Sequence, residues 1–437
     1  MARTYGRNHS RHTVSRRGFL KGSALALTGV WLDARGILAQ GSPNDKLNIG
    51  VIGVGNRGSD NLAGVASQNI VALCDVDENY LNAAAARFPR AVKCRDFRRL
   101  LDRNDVEAVV ASTADHTHAV ATLAALRSGR HVYCEKPLTH TVVEARRVTE
   151  ATIASGRATQ LGTQIHSLSN YRRVVELVQS GTIGPVREVH VFCDKCWGGG
   201  DRPAEAMPVP ATLDWDLWLG PALERPYHET YHPANWRRFW DFGGGTLGDM
   251  ACHYMDLPFW ALGLKHPTSV ETLGPEPSQE TAPRWLVVHY EFPATGDRPA
   301  VALTWYDGQE GVDNFAAKKL TDWRNGVVFV GDGGTIVADY TNHTILPQEL
   351  AASIVRPDPY IPESPGHHEE WIEACKGRGN ALCRFEYSGP LTETVLLGIV
   401  AYRAGCRIEW EARSMKVRGW QDAEPYLHRA YRTGWEI

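Results

Sequence analysis

A glycine-rich turn between two short apolar runs constrains this chain more than any other feature. Residues 46–52 are largely apolar and β-branched, as in a buried strand, and residues 53–58 then read Gly-Val-Gly-Asn-Arg-Gly. A second apolar run, residues 70–74, ends at Asp75, which lies 22 residues after Gly53. A strand, a G-x-G-x-x-G turn, a helix and a strand ending in an acidic residue are the parts of a parallel βαβ unit that binds a dinucleotide.

The glycines and the acidic residue have separate physical roles in this motif. Gly53 permits the tight turn, Gly55 lets the backbone approach a pyrophosphate, and Gly58 allows the helix to pack closely on the strand. The amino terminus of that helix then stabilises the phosphate charge. Asp75 is expected to accept hydrogen bonds from ribose hydroxyls and to repel a 2′-phosphate. The sequence therefore predicts NAD as the cofactor and disfavours NADP.

Strands and helices continue to alternate along the first part of the chain. The apolar residues 106–112 and 131–134 predict further parallel strands, and a helix is predicted over residues 118–128. Residues 113–118 and 135–137 follow these strands, and ligands of open parallel sheets bind outside the carboxyl ends of strands. Both segments are therefore expected to line one crevice. The predicted cofactor-contacting residues are Gly53, Gly55, Asn56, Arg57, Gly58, Asp75, Thr113, His118, Glu135 and Gln164.

The first 39 residues resemble an export signal. They contain seven lysines and arginines, among them the adjacent Arg16 and Arg17, followed by the apolar residues 24–32 and a small-residue site that ends at Ala39. This pattern is typical of a twin-arginine signal peptide, which predicts recognition by the twin-arginine translocation machinery and a periplasmic location. A basic amphipathic helix is the alternative interpretation. Because this route exports folded proteins, a cofactor would have to bind before export.

Composition argues against several other classes of partner. The net charge is −3, and because basic residues are concentrated in residues 1–39 the rest of the chain is acidic, unlike a nucleic-acid-binding protein. The apolar residues 24–32 are too few for the ~20 of a membrane-spanning helix, so no membrane anchor is expected. Nine cysteines and a lone C-x-x-C at residues 193–196 predict neither a disulfide framework nor a metal site.

Several segments together resemble one protein family. They are the glycine turn, the Thr-x-x-x-x-His segment at residues 113–118, Glu135-Lys136-Pro137-Leu138, and the glycine-rich residues 243–253. In these segments the chain is similar to the Gfo/Idh/MocA oxidoreductases, which are NAD(P)-dependent enzymes of sugars and cyclitols. The resemblance extends from residue 46 onward, and Ala114 departs from it because proline is usual at that position.

The resemblance implies an architecture that combines α/β and α+β domains. A linker at residues 40–45 would lead into a Rossmann domain with a parallel sheet at residues 46–165. Residues 166–437 would form a larger α/β domain, built on an open, mostly antiparallel sheet, for substrate binding and oligomerisation. An open sheet face needs a cover, so we expect a homo-oligomer.

A helix predicted after the glycines at residues 243–245 carries Asp249 and His253. Their i, i+4 spacing places them on one helix face, where a carboxylate orients an imidazole and stabilises its protonated form. Such a pair suits a general base that takes a hydroxyl proton, with Lys136 stabilising the alkoxide. An Asp–His pair on the surface is the alternative. The resemblance implies that Lys136, Asp249 and His253 are the catalytic residues.

Residues 227–236 precede that helix and are interpreted as a substrate loop. Residues 228–232 match the H-E-x-x-H zinc pattern, but Pro226 and Pro233 disfavour the helix that such a site needs, so no metal is predicted. Trp236 is expected either to pack in the core or to stack on the C–H faces of a sugar. The predicted substrate-contacting residues are His166, Tyr231, His232 and Trp236.

The sequence therefore predicts an exported enzyme that acts on CH–OH groups. It would transfer a hydride between a sugar or cyclitol and a tightly bound nicotinamide cofactor. Two alternatives stay open: a redox-neutral NAD-dependent glycosidase that acts through a transient keto-sugar, and a sugar-binding protein without catalysis. The complete set of Lys136, Asp249 and His253 argues against the second alternative.

Overall fold

The first part of the described chain folds around a parallel sheet. The computed structural model describes residues 45–315 and 318–437, and the predicted export signal lies outside these residues. The strands of the first sheet are β1 (Asn48–Ile52), β2 (Asn69–Cys74), β3 (Val92–Cys94), β4 (Ala108–Ala111), β5 (His131–Cys134) and β6 (Thr159–Leu161). They pair in parallel in the order β3-β2-β1-β4-β5-β6. The order reverses between β1 and β4, which opens a crevice at their carboxyl ends.

Helices connect these strands and cover both faces of the sheet. They are α1 (Arg57–Gly64), α2 (Glu78–Arg87), α3 (Phe97–Leu101), α4 (Asp115–Arg127) and α5 (Val142–Ser155). Helix α4 begins three residues before the predicted start. Ala114 is extended, and the Asp115 carboxyl lies in the first turn, where a negative charge favours the helix dipole. Helix α5 begins with a capping box between Thr141 and Glu144.

The second sheet has nine strands and is mostly antiparallel, as predicted. Its strands are β7 (Val186–Cys193), β8 (Ser269–Leu273), β9 (Leu286–Phe292), β10 (Val301–Asp307), β11 (Asn325–Gly331), β12 (Thr335–Ala338), β13 (His343–Leu346), β14 (Ile408–Glu411) and β15 (Lys416–Arg418). Their order is β13-β12-β11-β7-β10-β9-β8-β14-β15. Strands β7 and β10 are parallel, and the other neighbours are antiparallel.

The helices of the second domain are α6 (Ser169–Gln179), α7 (Trp215–Leu219), α8 (Gly245–Tyr254), α9 (Asp256–Leu262), α10 (Gly308–Asp313), α11 (Gln348–Ser353), α12 (His367–Cys375) and α13 (Phe385–Ala404). Helices α6, α8, α9 and α13 bury one face of the second sheet. Short 3₁₀ turns are formed by Gln164–Ser167, Asn235–Arg238, Lys318–Leu320 and Gln421–Leu427. Every residue of α8 is buried, so this helix lies in the interior and not on the surface. No helix of residues 45–315 and 318–437 combines the length and apolar character needed to cross a bilayer.

Late segments of the chain complete the core of the first sheet. Trp371 and Ile372 of α12 pack in one cluster with Ile49 and Val51 of β1. Phe385, at the start of α13, packs in the cluster on the other face of the sheet. The first domain therefore buries part of its apolar surface against residues of the second domain.

Helices α5 and α13 approach each other very closely at Gly389. A Cβ on Gly389 would fall on the Oγ1 of Thr149, whose hydroxyl donates to the Ala145 carbonyl at 2.8 Å. This approach joins the helices that cover the two sheets.

We expect Gly389→Ala to destabilise the fold. Overpacking costs about 1–3 kcal/mol, and the better helix propensity of alanine offsets up to about 1 kcal/mol of it. Urea denaturation should show a net loss of about 1 kcal/mol. Gly379→Ala is the matched control, because a Cβ there meets nothing within 4 Å. Adding Thr149→Ala should recover much of the loss; equal stability of Gly389→Ala and wild type would contradict the close approach.

Candidate active site

A cavity of about 630 Å³ opens where the parallel strands of the first sheet end. The residue directly after each of four strands lines it: Gly53 after β1, Asp75 after β2, Ser112 after β4 and Glu135 after β5. The opposite wall comes from the second domain, through residues 232–237 and helix α8. The cavity therefore lies where open parallel sheets bind ligands.

The glycine turn presents bare backbone to this cavity. Gly53 has a φ of 80°, and its N–H donates to the Cys74 carbonyl at 2.8 Å. A Cβ on Gly55 would meet the ring of Tyr80, and a Cβ on Gly58 would meet the Gly53 carbonyl. Gly55 lines the cavity, whereas Gly58 lies behind it and lets α1 pack on the turn. This backbone cradle fits a pyrophosphate.

Arg57 and Glu135 are held to each other beside the turn. Glu135 is buried, and its Oε1 accepts from the Nε of Arg57 and from the Nδ2 of Asn61, both at 3.0 Å. These contacts tie α1 to the end of β5. Arg57, Glu135 and Asn56, which has a φ of 46°, all line the cavity as predicted.

Asp75 lies at the predicted end of β2 and supports the turn directly. Its Oδ2 accepts from the Val54 N–H at 2.8 Å, and its Oδ1 accepts from the Asp77 N–H at 3.0 Å. Burial raises the pKa of this carboxyl from its ordinary value, and the two backbone donors oppose that shift. Each carboxylate oxygen can accept more than one hydrogen bond, so Asp75 keeps capacity for a ribose hydroxyl.

Lys136 and Asp249 form the closest charged contact of the cavity. The Nζ of Lys136 donates to the Asp249 Oδ1 and, at 3.2 Å, to the Asp249 carbonyl oxygen. The Nε of Arg237 lies 3.1 Å from the same Oδ1. Burial raises the pKa of Asp249, but Lys136 and Arg237 outweigh it and lower the pKa to about 2. Asp249 is therefore ionised at any working pH. Arg237 was missed because no motif distinguishes it in the sequence.

His253 lines the same cavity, one helical turn after Asp249. Burial, with Lys136 nearby, holds the pKa of its imidazole well below the usual range, so the ring is neutral. Its Nδ1 has no hydrogen-bond partner among the described residues. Asp249 was predicted to orient this ring, but no hydrogen bond joins the two side chains in the described structure. The prediction was wrong because the Asp249 carboxylate turns toward Lys136 from the other domain.

Asp115 is a further charged residue that sequence reasoning missed. It lines the cavity at the start of α4, and its Oδ1 lies 3.8 Å from the Nη2 of Arg237. Both of its buried carboxyl oxygens lack a hydrogen-bond partner within the described residues. Burial raises its pKa to about 6. It lies four residues after β4, within residues 113–118, which were predicted to line the crevice, although Asp115 was not named among the site residues.

His118 lies behind the cavity wall, although it was predicted to contact the cofactor. Its Nδ1 is 2.6 Å from the Pro137 carbonyl and its Nε2 is 3.0 Å from the Thr113 carbonyl. Two carbonyl acceptors require two N–H donors, which is the protonated imidazolium. Burial opposes this charge, but neighbouring groups, Cys134 first among them, raise the pKa of His118 to about 10. The ring therefore holds the two loops that carry Thr113 and Lys136.

Gln164 was predicted to contact the cofactor, and His232 and Trp236 the substrate; all three line the cavity. The Nε2 of His232 is 3.0 Å from the Asp77 Oδ2, which joins the substrate loop to the first domain. The Trp236 ring lies 4.3 Å from the guanidinium carbon of Arg237. Residues 228–232 form turns and not a helix, so the two histidines of H-E-x-x-H do not share a helix face.

His166 and Tyr231 lie outside the cavity, which corrects the prediction that they contact substrate. His166 is buried beside Asp256, with its Nδ1 2.9 Å from the carboxyl Oδ2, and it stacks on Trp260 at 4.0 Å. Tyr231 packs against Phe239, and its hydroxyl accepts from Arg202 at 3.1 Å. Both side chains have specific partners distant in sequence, which a local pattern does not reveal.

The sequence matches two models of one oxidoreductase family. Residues 47–163 match the family's "NAD-binding Rossmann fold", and residues 169–317 match its "C-terminal alpha/beta domain". An inositol 2-dehydrogenase of Gluconacetobacter diazotrophicus is 39% identical over 40% of this chain and 54% of its own length. A myo-inositol 2-dehydrogenase of Thermotoga maritima is 24% identical over 68% of this chain and 77% of its own length. The chain spans about half the length of the curated relatives that it matches most strongly.

Solved structures share the fold at low identity. The WlbA dehydrogenase of Bordetella pertussis, in complex with NADH and UDP-GlcNAcA, superposes with a TM-score of 0.60 at 18% identity, over 84% of this chain and 99% of that one. This similarity shows the fold alone. Because both domain models match in sequence order, the chain belongs to the Gfo/Idh/MocA oxidoreductase family.

Proposed function

We propose that this protein is an NAD-dependent oxidoreductase that interconverts a CH–OH group and a ketone on a neutral sugar or cyclitol. The observation that carries the proposal is one cavity that contains a dinucleotide cradle, a Lys136–Asp249 ion pair and a neutral, buried His253. Family membership and the inositol dehydrogenases among the relatives support the same reaction class.

The residues present fit NAD. The glycine turn and the start of α1 would hold the pyrophosphate, and the Asp75 carboxylate would hold the adenosine ribose. Thr113, Glu135 and Gln164, which follow β4, β5 and β6, also line the cavity. When bound, the nicotinamide supplies the hydride acceptor for alcohol oxidation.

The second domain and Lys136 would supply proton transfer and charge stabilisation. His253 is neutral, so it is able to take the proton of a substrate hydroxyl as the carbon is oxidised. Lys136 would stabilise the developing alkoxide, with its ammonium held in place by ionised Asp249. Lys136 and Arg237 keep Asp249 ionised, so the carboxylate does not compete for the proton. In this proposal Asp249 positions Lys136, and not His253.

The charges in the cavity favour a neutral polyol as substrate. Lys136 and Arg237 pair with Asp249 and Asp115. Arg57 and Arg95 also line the cavity and pair with Glu135 and Glu78, so each described cation of the cavity already has a carboxylate partner. His232 and Trp236 would contact the hydroxyl and C–H faces of the ring.

Turnover of a polyol panel tests the proposal. Purified protein with NAD⁺ and myo-inositol, glucose, or other cyclitols and aldoses should form NADH with at least one of them, followed by absorbance. His253→Ala should lower kcat about 10²–10⁴-fold by removing the base, and Lys136→Met about 10²–10³-fold. Neither change should alter NAD⁺ affinity. Full activity of either variant, or no NADH with any polyol, would refute the assigned chemistry.

Asp75→Ala should change the preference between NAD⁺ and NADP⁺. It removes both the ribose acceptor and the repulsion of a 2′-phosphate, so NAD⁺ affinity should fall about tenfold while NADP⁺ affinity holds or rises. Calorimetric titration of each cofactor measures this change. Asp102→Ala, at an exposed carboxyl, is the control. An unchanged ratio of the two affinities would place the ribose elsewhere.

We also propose that the protein is exported through the twin-arginine route. The pair of Arg16 and Arg17 before an apolar stretch supports this proposal. Replacing both with lysine should leave the protein in the cytoplasm, whereas wild type should reach the periplasm and lose its first residues near Ala39. Cell fractionation and mass spectrometry of the amino terminus measure both outcomes. Equal export of the two forms would rule the signal out.

A further inference from the structure

Residues that line the cavity follow the strands in their order across the sheet. Lys136 follows β5, Gly53 follows β1, Asp75 follows β2, and Arg95 and Phe97 follow β3. Strands β5 and β3 lie on opposite sides of the crossover. A dinucleotide with its reactive ring beside Lys136 and its pyrophosphate on the glycine turn therefore has its adenine at the β3 end.

A tryptophan from a distant part of the chain closes that end. Trp435 lines the cavity and is only 9% exposed. Its ring centroid is 6.1 Å from that of Phe97, and the guanidinium carbon of Arg98 lies 4.6 Å from the Trp435 centroid. The β3 end thus has a wall of two aromatic rings, one of them from outside the Rossmann domain.

Polar contacts fix the segment that carries Trp435. Arg429 pairs with Glu144 of α5 at 3.0 Å, and the Tyr431 hydroxyl donates to the same carboxylate at 2.7 Å. The backbone N–H of Trp435 donates to the Arg432 carbonyl at 3.0 Å. Because Glu144 is buried, these contacts anchor residues 429–435 to the first domain.

We propose that Trp435 forms one wall of the adenine site and, by closing that end of the cavity, retains the dinucleotide. This inference rests on the proposed binding of NAD. Adenine is planar and aromatic, and every base presents a face that stacks on an aromatic side chain. A wall held in place before binding loses little conformational entropy when the base arrives.

Binding of the two halves of NAD⁺, measured separately, tests the proposal without turnover. Calorimetric titration of the full chain, stripped of cofactor, with AMP and with nicotinamide mononucleotide reports the two ends separately. Trp435→Ala should weaken AMP and NAD⁺ binding about tenfold and leave nicotinamide mononucleotide affinity unchanged. Trp435→Phe should recover most of the loss, whereas Trp435→Leu, which is apolar but has no aromatic face, should not.

Trp420→Ala is the matched control. Trp420 belongs to the same late part of the chain, is 51% exposed and does not line the cavity. The Trp420→Ala variant should bind AMP, nicotinamide mononucleotide and NAD⁺ as wild type does.

Two outcomes would overturn the inference. If Trp435→Ala binds AMP as tightly as wild type while NAD⁺ still binds, the adenine lies elsewhere and only this inference fails. If the variant loses AMP and nicotinamide mononucleotide equally, Trp435 supports the whole site and is not a wall of the adenine. Failure of wild type to bind NAD⁺ at all would instead remove the proposed function together with the inference.

Discussion

The ion pair between Lys136 and Asp249 connects the first sheet to the second domain at the point where the two walls of the cavity meet. The side chains are 13% and 8% exposed, so water screens the attraction weakly. Breaking such a pair leaves a buried charge without a partner, which typically costs about 3–5 kcal/mol. Arg237 adds a second cation to the same carboxylate. The contact that arranges the chemical groups is therefore also one that fixes the domains relative to each other.

The burial and the charges around this ion pair explain why the surrounding groups have shifted pKa values. Burial disfavours the charged form of each group, and fixed neighbours either add to this effect or oppose it. His253 lies near Lys136 and is held neutral, whereas His118 lies between two carbonyls and is held charged. Two histidines at similar depth thus take opposite charge states, and the charges and hydrogen-bond acceptors beside each ring decide which one is protonated.

Local sequence patterns predicted the features that depend on near neighbours. The glycine turn, the strand before it and Asp75 all lie within one βαβ unit, and the parallel sheet and its crevice follow from repeating that unit. The spacing of Asp249 and His253 also placed them correctly on one helix. It did not reveal their contacts, because the partner of Asp249 is 113 residues away in the chain.

Contacts between residues distant in the chain also explain which site residues were missed or misplaced. Arg237 and Asp115 meet only when the substrate loop folds over the first sheet. His166 was expected in the cavity because it follows β6, but Asp256 and Trp260 draw it into the interior. In each case a contact between distant segments, and not a local propensity, determines where the side chain points.

The packing of α12 on the first sheet has a consequence for synthesis of the protein. Ile49 leaves the ribosome early, yet its cluster is completed by Trp371 and Ile372, which are made much later. Such high contact order slows folding and leaves a nascent Rossmann unit with exposed apolar surface. A nascent chain that has not yet reached residue 371 therefore exposes to water the face of β1 that α12 covers in the complete fold.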